Sequence, residues 1–129
     1  MLFQRFAKPA LAIVSSLLLL SACGGGSDVI DTRGSIAVSD TTGKAAIVWG
    51  AINQNIANDE ARANCGGGDC TVILQFGQCG ALSADATLRI YAAAEGDSPT
   101  SAQLAADNSC AAKGGQACVA PPDLHARCN

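Results

Sequence analysis

Two stretches of this chain repeat one another, and the repeat carries the cysteines with it. Setting Gly34-Ser35-Ile36-Ala37 against Gly80-Ala81-Leu82-Ser83 gives an offset of 46 residues. The cysteines keep nearly the same step: 45 from Cys65 to Cys110, 48 from Cys70 to Cys118 and 49 from Cys79 to Cys128. A chain built this way folds as two copies of one plan, here about residues 34–79 and 80–129 of a domain spanning 34–129. Each copy holds three cysteines, an odd number, so if all six are oxidised at least one bridge must join the copies. Six cysteines allow fifteen connectivities. Among those that respect the duplication, the reading favours Cys65 with Cys70, Cys110 with Cys118, and Cys79 with Cys128.

Each copy opens on a short alternating apolar stretch, Ile36 and Val38 in the first and Leu82 and Ala84 in the second, which reads as a half-buried strand. Turn formers follow at Asp40-Thr41-Thr42-Gly43 and Asp85-Ala86-Thr87, then second strands over Lys44 to Trp49 and Leu88 to Ala92, which predicts a hairpin in each copy. Asn53 and Ser98, each twelve residues before the first cysteine of its copy, are good helix N-caps, and Pro99 takes the favoured first helical position. Ala57, Ala61 and Cys65 recur every four residues, as do Ala102, Ala106 and Cys110, giving each helix a narrow face of small residues that can approach a sheet closely. Gly66-Gly67-Gly68 and Gly114-Gly115 stop the helices. Thr71 to Phe76 is apolar on both faces and is expected as a buried central strand, while Pro121-Pro122 restricts Val119 to Leu124 to an edge or an irregular end. The expected fold is α+β: duplicated β-β-α-β units forming one mixed or largely antiparallel sheet of five or six strands, disulfide-stapled, with both helices on one face.

The chain has 129 residues, of which 49% are hydrophobic and 4% aromatic, but much of the apolar excess lies in the first 22. There Arg5 and Lys8 form a basic region, Ala10 to Leu20 an apolar one, and Leu20-Ser21-Ala22-Cys23 ends the stretch. Residues 1–22 read as a cleaved secretory signal. The last four residues resemble a bacterial lipobox, which makes Cys23 the lipid-modified first residue of the mature protein, expected to hold it stably in the membrane. Gly24, where an aspartate would favour retention in the inner membrane, directs the expectation to the outer membrane, with the domain in the periplasm or at the cell surface. Residues 23–33, with Gly24-Gly25-Gly26-Ser27, read as a flexible tether lifting the domain off the bilayer. The chain lacks the uninterrupted run of ~20 apolar residues that a spanning helix needs.

An exported chain meets an oxidising compartment, and removing Cys23 leaves an even set of cysteines, so disulfides are expected over metal ligation. The rival reading takes Cys65-x4-Cys70 and His125-x2-Cys128 as a zinc set, but these are not the usual C-x2-C spacings. The glycines of Cys65-Gly66-Gly67-Gly68-Asp69-Cys70 lie at a helix C-terminus, where outward carbonyls disfavour an anion, so they read as structural punctuation rather than a phosphate loop. No metal or cofactor is expected.

Catalysis by a thiol needs a reduced cysteine beside a base, and His125 is the one histidine, expected at the surface. Asp59, Glu60, Asp85, Glu95 and Asp97 are the carboxylates that could do acid/base work, but they read mostly as solvated faces or turn formers, and no catalytic residue is assigned. The mature chain sets six basic against eleven acidic residues, the wrong sign for nucleic acid.

The order Gly34-Ser35-Ile36-Ala37-Val38, Trp49-Gly50, an alanine-rich helix ending in Cys65, Cys70-Thr71-Val72-Ile73-Leu74-Gln75-Phe76 and Cys79-Gly80-Ala81-Leu82 resembles the bacterial domain-of-unknown-function 4189 family, over roughly Gly34 to Asn129. That resemblance implies a small exported or lipid-anchored protein with repeats of this kind, and no catalytic residues to carry over. Compartment and charge point to a non-catalytic protein-binding module with a basic protein partner, such as an inhibitor or immunity protein against a secreted hydrolase or toxin. The alternative is a structural envelope lipoprotein without a discrete target.

Overall fold

The structure, a computed structural model, describes residues 31–129; the proposed signal segment and Cys23 lie outside the described residues. Six strands and two helices follow in the order β1 (Arg33–Val38), β2 (Ala45–Ala51), α1 (Gln54–Cys65), β3 (Thr71–Phe76), β4 (Cys79–Asp85), β5 (Ile90–Gly96), α2 (Pro99–Ala112) and β6 (Arg127–Cys128). Among the described residues no helix is long and apolar enough to cross a membrane.

The helices begin where their caps dictate. Asn53 Oδ1 accepts from the Ile56 amide at 2.9 Å, and Ser98 and Ser101 form a reciprocal capping box with Pro99 in the first turn. Both small-residue stripes are buried: Ala57, Ala61 and Cys65 in α1, Ala102, Ala106 and Cys110 in α2. Gly66 closes α1 at φ 76, a left-handed conformation that a side chain would strain.

The α+β class stands, but the layers differ from the single sheet the sequence suggests. There are two three-stranded antiparallel sheets, ordered β2-β1-β3 and β5-β4-β6. Their inner faces pack together through Ile36, Val38, Ile47, Phe76 and Leu82, with Leu74, Tyr91 and Ala93 against them. The helices lie on opposite outer sides rather than on one face. Helix α1 packs Ala61 and Cys65 on Ala37, Ala46 and Val48, and α2 packs Ala102 and Ala106 on Cys79 and Ala81. The cause is visible in β1 and β4, which are buried on both faces. Beside the apolar Ile36, Val38 and Leu82, the alternate positions are Ser35, Ala37, Ser39, Ala81 and Ser83, small enough for a helix to lie directly on them.

Strand β3 is therefore an edge strand rather than a central one. It pairs with β1, and a register shift between Ile36 and Ala37 turns Val72 toward the α1 layer and Leu74 toward the inter-sheet core, leaving Ile73 40% exposed. Its apolar run serves two layers in turn. In the second copy the corresponding strand is split. Val119 bridges Ala84 as Thr71 pairs with Val38, and Arg127 pairs with Gly80 as Phe76 pairs with Gly34. The step from 119 to 127 is eight residues where that from 71 to 76 is five, and Pro121-Pro122 lies in the excess.

Phe76 joins the copies. Its ring is 1% exposed, and a Cβ added at Gly34 or Gly80 would come within 2.1 or 2.4 Å of it, so both first strands press bare backbone on one ring. Three disulfides complete the frame: Cys65–Cys70 and Cys110–Cys118 within the copies, and Cys79–Cys128 with its cysteines 49 residues apart. The last of these ties β4 to β6 inside the second sheet.

Candidate interaction surfaces and the fate of the polar residues

The far ends of the two copies, where the hairpin loops meet the segments after the helices, are each closed by one carboxylate. In the first copy Asp69, from the loop after α1, accepts from Ser39 Oγ at 2.6 Å and from Thr41 Oγ1. In the second, Asp85 lies at the end of β4 and is 2% exposed. It accepts from the Gln116 and Ala117 amides at 2.9 and 3.0 Å and from the Thr87 and Leu88 amides, both at 3.1 Å. Ser39 and Asp85 are equivalent under the repeat, so the acid has changed sides of the same joint. The Ser39 and Thr41 hydroxyls hold the Asp69 carboxyl below its usual range, and the Ala117 and Gln116 amides, followed by Leu88, do the same for Asp85. Asp85, an acid/base candidate by sequence, is thus a clamp whose oxygens accept four backbone amides.

The remaining candidates are dispersed. Asp59 Oδ1 accepts from Arg62 at 3.1 Å on the exposed side of α1, and neighbouring Glu60 is exposed. Glu95 accepts from the Gly77 amide at 2.7 Å and Asp97 from Ser101 Oγ at 2.7 Å. His125 is exposed in the segment before β6. Cys65, Cys70, Cys79, Cys110, Cys118 and Cys128 are all engaged in disulfides, and among the described residues no group of three or more His, Cys, Asp or Glu side chains could hold a metal ion.

Two shallow grooves occupy equivalent places, each between a helix and the third strand of its copy. The first, about 480 Å³, lies between Asn58 and Arg62 of α1 and Val72 to Gln75 of β3. The second, about 510 Å³, lies between Pro99, Gln103, Leu104 and Asp107 of α2 and Ala120, His125 and Ala126. Their chemistry differs. Arg62 is the charged residue of the first and Asp107 of the second. Gln103 Nε2 fixes Asp107 by donating to its Oδ1 at 3.0 Å while also donating to the Leu82 carbonyl at 3.1 Å. Beside it Leu104 is 61% exposed. The helical pattern of α2 holds the sequence signal for this site, since Leu104 is a large apolar residue off the buried alanine stripe.

A separate patch sits at the end of β2. Between the pairs Arg33–Ala51 and Ser35–Val48, Trp49 and Gly50 oppose Gly34 alone, so β2 bulges, and Gly50 takes φ 70. The Gly50 amide donates to Asn129 Oδ1 at 2.8 Å. The bulge leaves Trp49 46% exposed, with the Arg127 guanidinium 4.5 Å from its ring centroid, and Ile52 beyond it 67% exposed. The sequence signal for this bulge is Gly50, since a glycine inside a strand often marks one.

With this geometry in view, comparison with known families matches residues 34–121 to a domain of unknown function, DUF4189. The match ends at the first proline of the pair, before His125, Arg127 and Cys128. No curated protein and no solved structure matches the chain.

Proposed function

The chain belongs to the DUF4189 family, and on that premise we propose that it is a lipid-anchored outer-membrane protein, acylated at Cys23, whose domain is a non-catalytic protein-binding module. The partner is a basic exported protein, of the kind represented by a secreted hydrolase or toxin, and the chain acts on it as an inhibitor or immunity protein. The α2 groove carries this reading. An exposed leucine beside a positioned carboxylate offers an apolar anchor and a site for a lysine or arginine, and the anionic mature chain steers such a partner in. The non-catalytic part is supported by the disulfide engagement of the six cysteines and by the clamp role of Asp69 and Asp85. The helix that lines the groove is tied at its C-terminal end by Cys110–Cys118.

The test is capture from detergent-solubilised envelope on the immobilised mature protein, run beside Leu104→Glu and Asp107→Lys. A basic protein retained by the native chain and lost with both variants supports the reading. A protein retained equally by all three contradicts the groove, and the absence of any captured partner returns the chain to the structural-lipoprotein alternative.

A further inference from the structure

Equivalent elements of the two copies run in the same direction, with the hairpin loops meeting at Arg89 and Thr41 and the opposite ends at Gly50 and Asn129, and this gives the domain two poles. At one lie the two carboxylate clamps, the hairpin loops and the short disulfides. At the other lie Arg33, Ala51, the Asn53 and Ser98 caps, Phe76, the Cys79–Cys128 bridge and Asn129. The chain from Cys23 arrives at this second pole, because Arg33 opens β1 and pairs with Ala51. Ten peptide steps separate Cys23 from Arg33. Even fully extended they span at most ~35 Å. An acyl group on Cys23 therefore tethers the domain through this pole, which stands at the near end of the linker.

The residues displayed there suit a lipid interface. Trp49 and Ile52 are exposed and follow one another across the bulge, and Ala51 between them is the partner of Arg33. Tryptophan favours the headgroup level, where its apolar ring and its N–H are both accommodated, and an arginine stacked on it can reach phosphate while its stem stays on apolar surface. The bulge, the Asn129 hydrogen bond and the Cys79–Cys128 bridge beside Arg127 fix this arrangement in the fold, so it costs little ordering on contact. This pole carries two cations, Arg33 and Arg127, against three anions, Asp31, Glu95 and Asp97. Arg33 is paired with Asp31 at 3.1 Å, Glu95 and Asp97 accept from Gly77 and Ser101, and Arg127 lies on the ring. Net charge therefore does not draw this pole to an anionic surface, and the contact depends on the ring and Ile52.

We propose that the Trp49–Ile52–Arg127 pole seats in the headgroup region of the membrane that anchors Cys23, so that the domain stands on its end with the α2 groove alongside. This rests on the anchoring reading of Cys23 and deepens it.

Trp49 is the chain's one tryptophan and reports its own position. The mature protein, purified from membranes, is reconstituted into phosphatidylethanolamine–phosphatidylglycerol vesicles with or without phospholipids brominated near the headgroup end of the acyl chain. The expected result is blue-shifted emission that falls about twofold or more with bromolipid and keeps that fall in high salt. Ile52→Asp, which leaves the reporter in place, should return the emission close to the unbrominated level. Emission insensitive to bromolipid, in protein whose Cys23 is shown by mass spectrometry to be acylated, overturns the seat alone. Unmodified Cys23 overturns the anchor and the seat together. Insensitivity to lipid combined with a shift on adding a captured partner protein would reassign the patch to protein binding.

Discussion

The two copies share a frame and differ in what they place on it. Both have a doubly buried first strand, a hairpin, a capped helix with an Ala-Ala-Cys stripe and a short disulfide. The first copy completes its sheet with a continuous β3, closes its far end with a hydroxyl strand and a carboxylate loop, and puts Arg62 in its groove. The second splits the third strand around Pro121-Pro122, moves the carboxylate onto the strand, and puts Asp107 in its groove. The difference teaches that burial of small residues is what the repeat preserves, while polar joints can exchange partners. A joint tolerates a change of donors because a carboxylate is satisfied by hydroxyls, as at Asp69, or by backbone amides, as at Asp85, whereas a larger residue at Ala37 or Ala81 would push a helix off its sheet.

The contrast can be broken first at the residue both copies share. Phe76→Ala should cost about 5 kcal/mol, the upper end for loss of a buried ring, in urea unfolding of the mature domain. Gly80→Ala, severely destabilising in the native chain, should be much better tolerated in the Phe76→Ala background, because the ring it meets is gone. Additive effects would mean that Phe76 does not bridge the copies. Next come the bridges. Replacing Cys79 and Cys128 together by serine should cost about 4 kcal/mol, against about 2 kcal/mol for the Cys65–Cys70 pair, since the closed loops differ so much in length. Equal losses would remove the special standing of the bridge to the C-terminal segment.

The clamps predict an acid response. Both carboxyls sit below their ordinary value of 3.8 in the folded protein, so the unfolded chain binds more protons near that pH. Their contribution is present in full above about pH 5 and is lost as pH falls through the folded values. Asp85→Asn should lower stability at neutral pH and flatten the fall between neutrality and acid, which unfolding followed against pH will read. The smallest effect is a gain. Among the described residues Ser83 Oγ is buried without a hydrogen-bond partner, and the equivalent residue in the first copy is Ala37. Ser83→Ala should stabilise by about 1 kcal/mol and Ala37→Ser should destabilise by about as much. A loss on Ser83→Ala would mean that the hydroxyl has a partner after all.

Local features were the most legible in the sequence. Helix starts followed from Asn53, Ser98 and Pro99, and their buried stripes from the fourfold spacing of alanine and cysteine. Layer order was not legible, because Ser35, Ala37, Ala81 and Ser83 do not register as a hydrophobic face although a helix covers them. Strand β3 misled for a related reason: an unbroken apolar run looks like a central strand, and the register shift that divides it between two layers leaves no trace in composition. The clamps join residues about thirty apart through short polar side chains and backbone amides, contacts that only tertiary structure defines. Of the surface features, Trp49-Gly50 and Leu104 carried a signal, whereas the pairing of Trp49 with Arg127 depended on where β6 returns.

The proposal that a basic partner docks in the α2 groove is tested most directly by paired photo-crosslinking in intact cells. A photoreactive residue is placed at Leu104 in the α2 groove or at Ile73, in the equivalent groove of the first copy. The account predicts a crosslink to a basic exported protein from position 104, lost on adding Asp107→Lys, and none to that protein from position 73. Crosslinking of the same protein from 73 but not from 104 would contradict it.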